Sequence, residues 1–217
     1  MDEPPAKRQR ATCGICAVCQ GEFGKRATIA HLEKHLTASS HAPGDTVPRL
    51  HLLVEGAYGP EYWLHLDVRA DTPLKKLDTF LRGIWLECCG HLSQFTGGRG
   101  LYGIGMSKIG MTRKIGDALT PGMTFSHEYD FGDTTELKLR VLGEHDGSPA
   151  KDPVLLLARN LPPEMPCESC GKPADLMGVD YEGEYRQLCE ECADEAMEEQ
   201  LLPVLNSPRA GVCGYTG

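Results

Sequence analysis

Two cysteine pairs, Cys167-Glu168-Ser169-Cys170 and Cys189-Glu190-Glu191-Cys192, stand eighteen residues apart towards the end of a 217-residue chain. No other feature limits so tightly what this chain can fold into. A Cys-x-x-Cys turn holds two thiolates on one side of a tight loop, and a second such turn completes a tetrahedron around one Zn²⁺. Four soft ligands leave the metal no open position. The pattern therefore folds a module too small for its own core and supplies no chemistry by itself.

A second set lies near the start. Cys16, Cys19, His31 and His35 give C-x2-C-x11-H-x3-H, one residue short of the usual two-cysteine, two-histidine finger spacing. His31 and His35 sit one helical turn apart, so both imidazoles can reach one ion, and Phe23 occupies the place of a finger's core aromatic. Cys13 can replace Cys16 in the knuckle, which leaves the ligand choice open. The expected cofactor is Zn²⁺ at two sites.

The ten cysteines and the polar, acidic start Met1-Asp2-Glu3-Pro4-Pro5 argue for reduced thiols and a cytoplasmic home rather than a disulfide framework. No apolar run approaches a membrane span, so no membrane partner is expected. The segment Leu161 to Gly217 carries twelve acids against three bases and so accounts for the whole net charge of −9. That surface repels phosphate and points the second module towards protein. The finger reads DNA poorly: Gly24, Ala27 and Ala30 fall at the readout positions and offer no bidentate hydrogen bond. Lys25, Arg26 and the Lys7–Arg10 cluster remain available for non-specific phosphate contact.

Between the two metal sets the pattern is α+β. Arg49–Gly56 and Tyr62–Arg69 read as strands, the second with Tyr62, Leu64, Leu66 and Val68 on one face and His65, Asp67 and Arg69 on the other. Thr72 reads as a helix N-cap with Pro73 in the first turn, and Leu74, Leu77, Leu81, Ile84, Trp85 and Cys88 follow at helical spacing. Met123–Tyr129 and Thr135–Val141 alternate as the arms of a hairpin around Phe131-Gly132-Asp133-Thr134, and Pro153–Ala158 is a further buried strand. Gly98-Arg99-Gly100-Leu101-Tyr102-Gly103 matches a dinucleotide fingerprint in spelling only. No helical face follows it, so it reads as turns. Cys88-Cys89-Gly90-His91 reads as a helix end, with small core cysteines and Gly90 at the C′ position, in preference to an activated nucleophile. His91 with Glu128, Asp130 and Asp133 outlines a candidate ligand pocket at the hairpin, for which turn capping by Asp133 is the simpler account. No catalytic residue is assigned.

The order of these elements resembles a known family. Arg49-Leu50-His51-Leu52-Leu53-Val54-Glu55-Gly56, Tyr62-Trp63-Leu64-His65-Leu66, His91-Leu92-Ser93-Gln94-Phe95 and, most specifically, Tyr129-Asp130-Phe131-Gly132-Asp133 are similar to the root-inducing-plasmid ORF-three-like family, also labelled a TnpR-type transposon passenger. The resemblance covers about residues 48 to 145. It implies an α+β domain in a mobile-element context and no established activity. No serine-recombinase pattern supports a resolvase role.

The sequence thus predicts an α+β protein whose central mixed or antiparallel sheet carries one main packed helix, flanked by two small zinc modules. Residues 1–12 are a tail, 13–40 the finger, 48–160 the core, 161–204 the four-cysteine module and 205–217 a small-residue tail. The expected role is a non-enzymatic, protein-binding adaptor. A small-ligand protein or enzyme centred on His91 and the hairpin, and a non-specific nucleic-acid binder acting through the finger, are the alternatives.

Overall fold

The computed structural model describes residues 12–40, 45–97, 107–179, 185–196 and 201–217. Its centre is a nine-stranded sheet in which every neighbouring pair of strands runs antiparallel. The core strands are β3 (Val47–Gly56), β4 (Trp63–Arg69), β7 (Thr124–Tyr129), β8 (Thr135–Gly147) and β9 (Val154–Asn160). β5 (Ser93–Gly97) and β6 (Ser107–Ile109) form one edge, and β1 (Cys13–Cys16) and β2 (Glu22–Gly24) form the other. The spatial order is β2-β1-β9-β4-β3-β8-β7-β5-β6. The hairpin lies where alternation placed it, with Tyr129 opposite Thr135 and Glu128 opposite Glu136.

Both faces of the sheet are covered. On one, Leu50, Leu52, Val54, Leu64, Leu66 and Val68 pack against Leu74, Leu77 and Leu81 of α2 (Leu74–Leu81) and against Trp85. On the other, Leu53, Trp63, Leu157 and Ala158 meet Leu32 and Leu36 of α1 (Lys25–Ser40), the helix of the N-terminal finger. The sequence assigned one main packed helix and read β4 as amphipathic. The second face is buried as well: Trp63 packs with Leu32 and Leu36 of α1, His65 lies against His51, and Asp67 is paired with the buried Arg49. A bulge between His51 and Leu52, and another between His65 and Leu66, interrupt the ladders around the buried His51–His65 pair, whose Nε2 and Nδ1 atoms are 2.9 Å apart.

The finger consequently does not stand apart from the core. Its β1 hydrogen-bonds to β9 through the pairs Gly14↔Asn160, Ile15↔Arg159 and Cys16↔Ala158. Gly14 is required there, because a Cβ would lie 2.4 Å from both the Arg159 carbonyl and the Trp63 ring.

Two expectations for the main helix change. Thr72 makes no capping bond; Pro73 occupies the cap, and the buried Thr72 hydroxyl has no partner among the described residues. The α-helix also stops at Leu81 and widens into a π turn over Arg82–Leu86, with the N–H of Glu87 bonded to the Arg82 carbonyl. Helical spacing continues through this turn in the sequence, so apolar periodicity alone does not reveal it. A short helix α3 (Ile115–Ala118) precedes β7.

The C-terminal module is a separate three-stranded sheet ordered β11-β10-β12, built from β10 (Leu176–Val179), β11 (Tyr185–Leu188) and β12 (Leu202–Pro203), with α4 (Glu190–Ala196) beside it. After β12 the chain runs as an irregular strap back into the core, where Ser207, Arg209, Ala210 and Tyr215 are buried. Among the described residues no helix is long and apolar enough to cross a membrane.

Candidate metal centres and the hairpin pocket

The finger's β-hairpin and helix bring Cys16, Cys19, His31 and His35 together, with their ligand atoms all within 4.8 Å of one another. Cys13, the alternative ligand, is outside this group. The individual edges are 3.3 Å from Cys19 Sγ to His31 Nε2 and 3.1 Å between the two histidine Nε2 atoms. Zn–N and Zn–S bonds of about 2.1 and 2.3 Å give tetrahedral edges of about 3.4–3.8 Å, so these donors already stand close to a metal's geometry. Phe23 stacks on His31 at 3.8 Å between ring centroids and fixes the imidazole plane. Burial, then His35 and then Lys34, hold the pKa of His31 below its ordinary value, favouring the neutral ring that ligates.

In the C-terminal module Cys167, Cys170, Cys189 and Cys192 converge in the same way. The Cys170 and Cys189 sulfurs are 3.6 Å apart, close to the edge of a four-thiolate zinc site. The first knuckle is closed by the N–H of Gly171 bonded to the Cys167 carbonyl and the N–H of Cys167 bonded to Lys172, with Gly171 at a φ of +76°. Backbone donors, led by Cys189, lower the Cys167 thiol to about 6, whereas hydrogen bonds to the Cys170 and Cys189 thiols push Cys192 up to about 12. Four thiols this close cannot all ionise unaided, and a divalent cation resolves the conflict by displacing their protons. Leu188 and Ala193 are the other buried residues packed with Cys167 and Cys189. With so little apolar surface, a metal held by these four thiolates would be the main source of order here.

The hairpin pocket assembles only in part. His91 Nε2 lies 3.6 Å from Asp130 Oδ2. Glu128 instead bonds across the strand pair to Gln94 at 2.6 Å and Thr96 at 3.3 Å, and Asp133 contributes its backbone carbonyl. Asp130 and the Asp133 carbonyl are instead held by Arg209, which the sequence placed in a featureless tail. Its guanidinium bonds to Asp130 Oδ2 at 2.7 Å, Thr135 Oγ1 at 2.9 Å and the Asp133 carbonyl at 3.0 Å, and it lies 4.9 Å over the Tyr129 ring. Arg209 thereby holds the Asp130 carboxyl below its ordinary pKa. Asp130 has a φ of +64° and bonds to the N–H of Gly132, as an Asx turn. Ser207 Oγ donates to the Trp85 carbonyl at 2.6 Å, tying the strap to the π turn. A cavity of about 400 Å³ lies beside the strap, lined by Tyr58, Met165, Met177 and Pro208 among others, and it includes none of His91, Glu128, Asp130 and Asp133.

The strap also carries Cys213 to the loop after the π turn. Cys88, Cys89, His91 and Cys213 form a third group with ligand atoms within 4.8 Å of one another. The sequence reading took Cys88 and Cys89 as core residues at a helix end. Cys88 is half-buried and does pack against the core, whereas Cys89 is exposed, in a loop whose Gly90 has a φ of +74°. Burial opposes ionisation of Cys88, but the Arg209 guanidinium and the Tyr129 hydroxyl outweigh it and lower the thiol's pKa. The sequence signal for this site is a cysteine between Val212 and Gly214 in a glycine-rich tail, which nothing local connects to residue 88. The fingerprint-like segment 98–103 and the basic cluster 7–10 lie outside the described residues.

No protein-family profile and no curated protein matches this chain. Among solved structures, a protein of unknown function from Methanosarcina mazei Go1 is similar over 52% of this chain and 68% of that one, at 17% identity and a TM-score of 0.45.

Proposed function

We propose that the chain is a zinc-organised, non-enzymatic binding platform whose acidic C-terminal module faces a basic protein partner. Cys16, Cys19, His31 and His35 hold one Zn²⁺, and Cys167, Cys170, Cys189 and Cys192 hold another. The observation that carries this reading is the engaged hairpin carboxylate: Asp130 Oδ2, the oxygen that faces His91, is already bonded to the buried Arg209 and is not free for a substrate. Both donor sets are also complete with four protein ligands, which suits structural rather than catalytic zinc. The finger supports the platform in preference to a nucleic-acid clamp. Its Lys25 is bound to Glu55 and the Pro60 carbonyl, and the helix turns Leu32 and Leu36 into the sheet. Membership of the plasmid ORF-three-like family, with a cytoplasmic setting, belongs to the same proposal and rests on the Tyr129–Asp133 segment, which forms the turn that Arg209 locks.

The test is affinity capture from native lysate, with and without nuclease, using the wild type and an Asp175→Lys/Glu190→Lys variant at two exposed acids of the module. A protein partner that survives nuclease and is lost from the variant supports the platform. A partner released by nuclease, or one indifferent to charge reversal, overturns it. Metal analysis should return at least two zinc equivalents per chain.

A further inference from the structure

We propose that Cys88, Cys89, His91 and Cys213 form a third Zn²⁺ site, which staples the C-terminal strap across the hairpin. Three of the donors come from one loop, and the fourth arrives from 122 residues away along the chain from His91. His91 Nε2 and Cys213 Sγ are 3.4 Å apart, matching the roughly 3.5 Å edge between nitrogen and sulfur around a tetrahedral zinc. The other donor atoms lie within 4.8 Å of one another, so shifts of about 1 Å close the site around bonds of ordinary length.

The supporting shell is already built. The Tyr129 hydroxyl accepts the N–H groups of Cys88 at 3.4 Å and His91 at 3.3 Å, and donates to Glu87 at 3.0 Å. Glu87 in turn accepts the N–H of Gly90 at 2.7 Å. These bonds hold the loop on one side, while Arg209 and Ser207 anchor the strap on the other. Three thiolates and one imidazole around Zn²⁺ carry a net charge of −1. The Arg209 guanidinium, 3.4 Å from Cys88 Sγ and also paired with Asp130, donates a hydrogen bond to a ligand sulfur and offsets part of this charge, the usual way an outer shell steadies a thiolate site.

Asp130 also approaches His91, but its carboxylate is already engaged by Arg209 and the N–H of Gly132. The imidazole is therefore left to the metal. Cys213 has a φ of +52° between Gly211 and Gly214, both also at positive φ. A side chain at such a position carries a conformational cost that glycine avoids, and metal ligation offsets it. The soft donor set selects zinc over magnesium or calcium. Three sulfurs and one imidazole complete the tetrahedron, so the site is structural, although Cys89 and Cys213 remain exposed to solvent.

The experiment is zinc stoichiometry by plasma mass spectrometry on the full chain, purified under reductant, for the wild type, Cys213→Ser and Cys89→Ser. Each variant is expected to carry one equivalent fewer than the wild type, whatever number the wild type holds. This separates the third site from the two-site reading above. Variants that keep the wild-type count overturn the proposal. A second measurement on the native wild type needs no variant: alkylation of Cys89 and Cys213, followed by mass spectrometry, should be suppressed about tenfold by bound zinc and released by a chelator. Equal labelling with and without chelator, or a disulfide at Cys213 in the reduced preparation, overturns the site.

Discussion

Replacing Leu32 by alanine should destabilise the whole sheet and not the finger alone. Leu32 is fully buried, on a helix whose candidate metal ligands His31 and His35 face one way and whose leucines pack on Leu53, Trp63 and Leu157. Three buried carbons are worth about 2.4 kcal/mol of transfer free energy at ~0.8 kcal/mol each. The cavity left in a layer pinned by β1–β9 pairing raises this to about 3–4 kcal/mol, within the range for buried Leu→Ala changes. For a chain of this length the melting temperature should fall by roughly 6–16 °C. The assay exploits the two tryptophans, both fully buried, with Trp63 on the finger side of the sheet and Trp85 on the other. Thermal unfolding is followed by fluorescence in Trp63→Phe and Trp85→Phe backgrounds, each with and without Leu32→Ala. Both reporters should move together. If the Trp63 transition shifts while the Trp85 transition stays in place, the finger melts as an independent unit and the two-layer argument is wrong. Arg26→Ala, on the exposed side of the same helix, is the control and should change stability by less than about 0.5 kcal/mol.

Acid should weaken the fold through His51 and His65. Burial lowers their pKa values to about 4 and about 3, so the unfolded chain binds protons that the folded one refuses. This contribution is complete above about pH 6.5 and is lost as pH falls towards 4, with a slope approaching about 1.4 kcal/mol per pH unit per histidine. Urea titrations at pH 7, 6 and 5, with zinc content verified, should show that slope flattened in His51→Gln/His65→Gln. Thr72→Val should be neutral or stabilising by up to about 1 kcal/mol, because it removes a buried hydroxyl that has no partner among the described residues; a loss above 1 kcal/mol in chemical denaturation would show that the hydroxyl is satisfied in solution. Arg209→Met should release the strap, so limited proteolysis with mass spectrometry should cut within 206–215 faster than in the wild type while the sheet survives; equal rates would mean that Arg209 does not lock the strap.

What the sequence revealed was what is written locally. The four-cysteine knuckles, the finger spacing and the hairpin from Met123 to Val141 are each defined within a few dozen residues, and each donor set converges in space. What escaped depends on partners distant in sequence. Nothing around Gly14 announces that β1 will bond to β9, and nothing around Arg209 announces Asp130, because each half of such a contact is ordinary alone. The π turn escaped for another reason: Ile84, Trp85 and Cys88 keep a helical period while the backbone widens by one hydrogen bond. Cys213 was legible only as a cysteine left over in a tail without periodicity.

The pairing of β1 with β9 also orders events in time. Cys16 meets Ala158, about 140 residues later in the chain, which at ~5–20 residues per second takes on the order of ten seconds to synthesise. Through that interval the finger can close on its metal, but Leu32 and Leu36 have no Leu157 to cover them. The β3–β4 hairpin, joined by a short connection and complete at Arg69, can form long before then, whereas β7–β8 is complete only at Gly147, shortly before β9. The nascent chain thus carries a leucine stripe that Leu53 and Trp63 cover only in part until nearly three-quarters of it has been made, and chaperones that recognise apolar helices have their opportunity there.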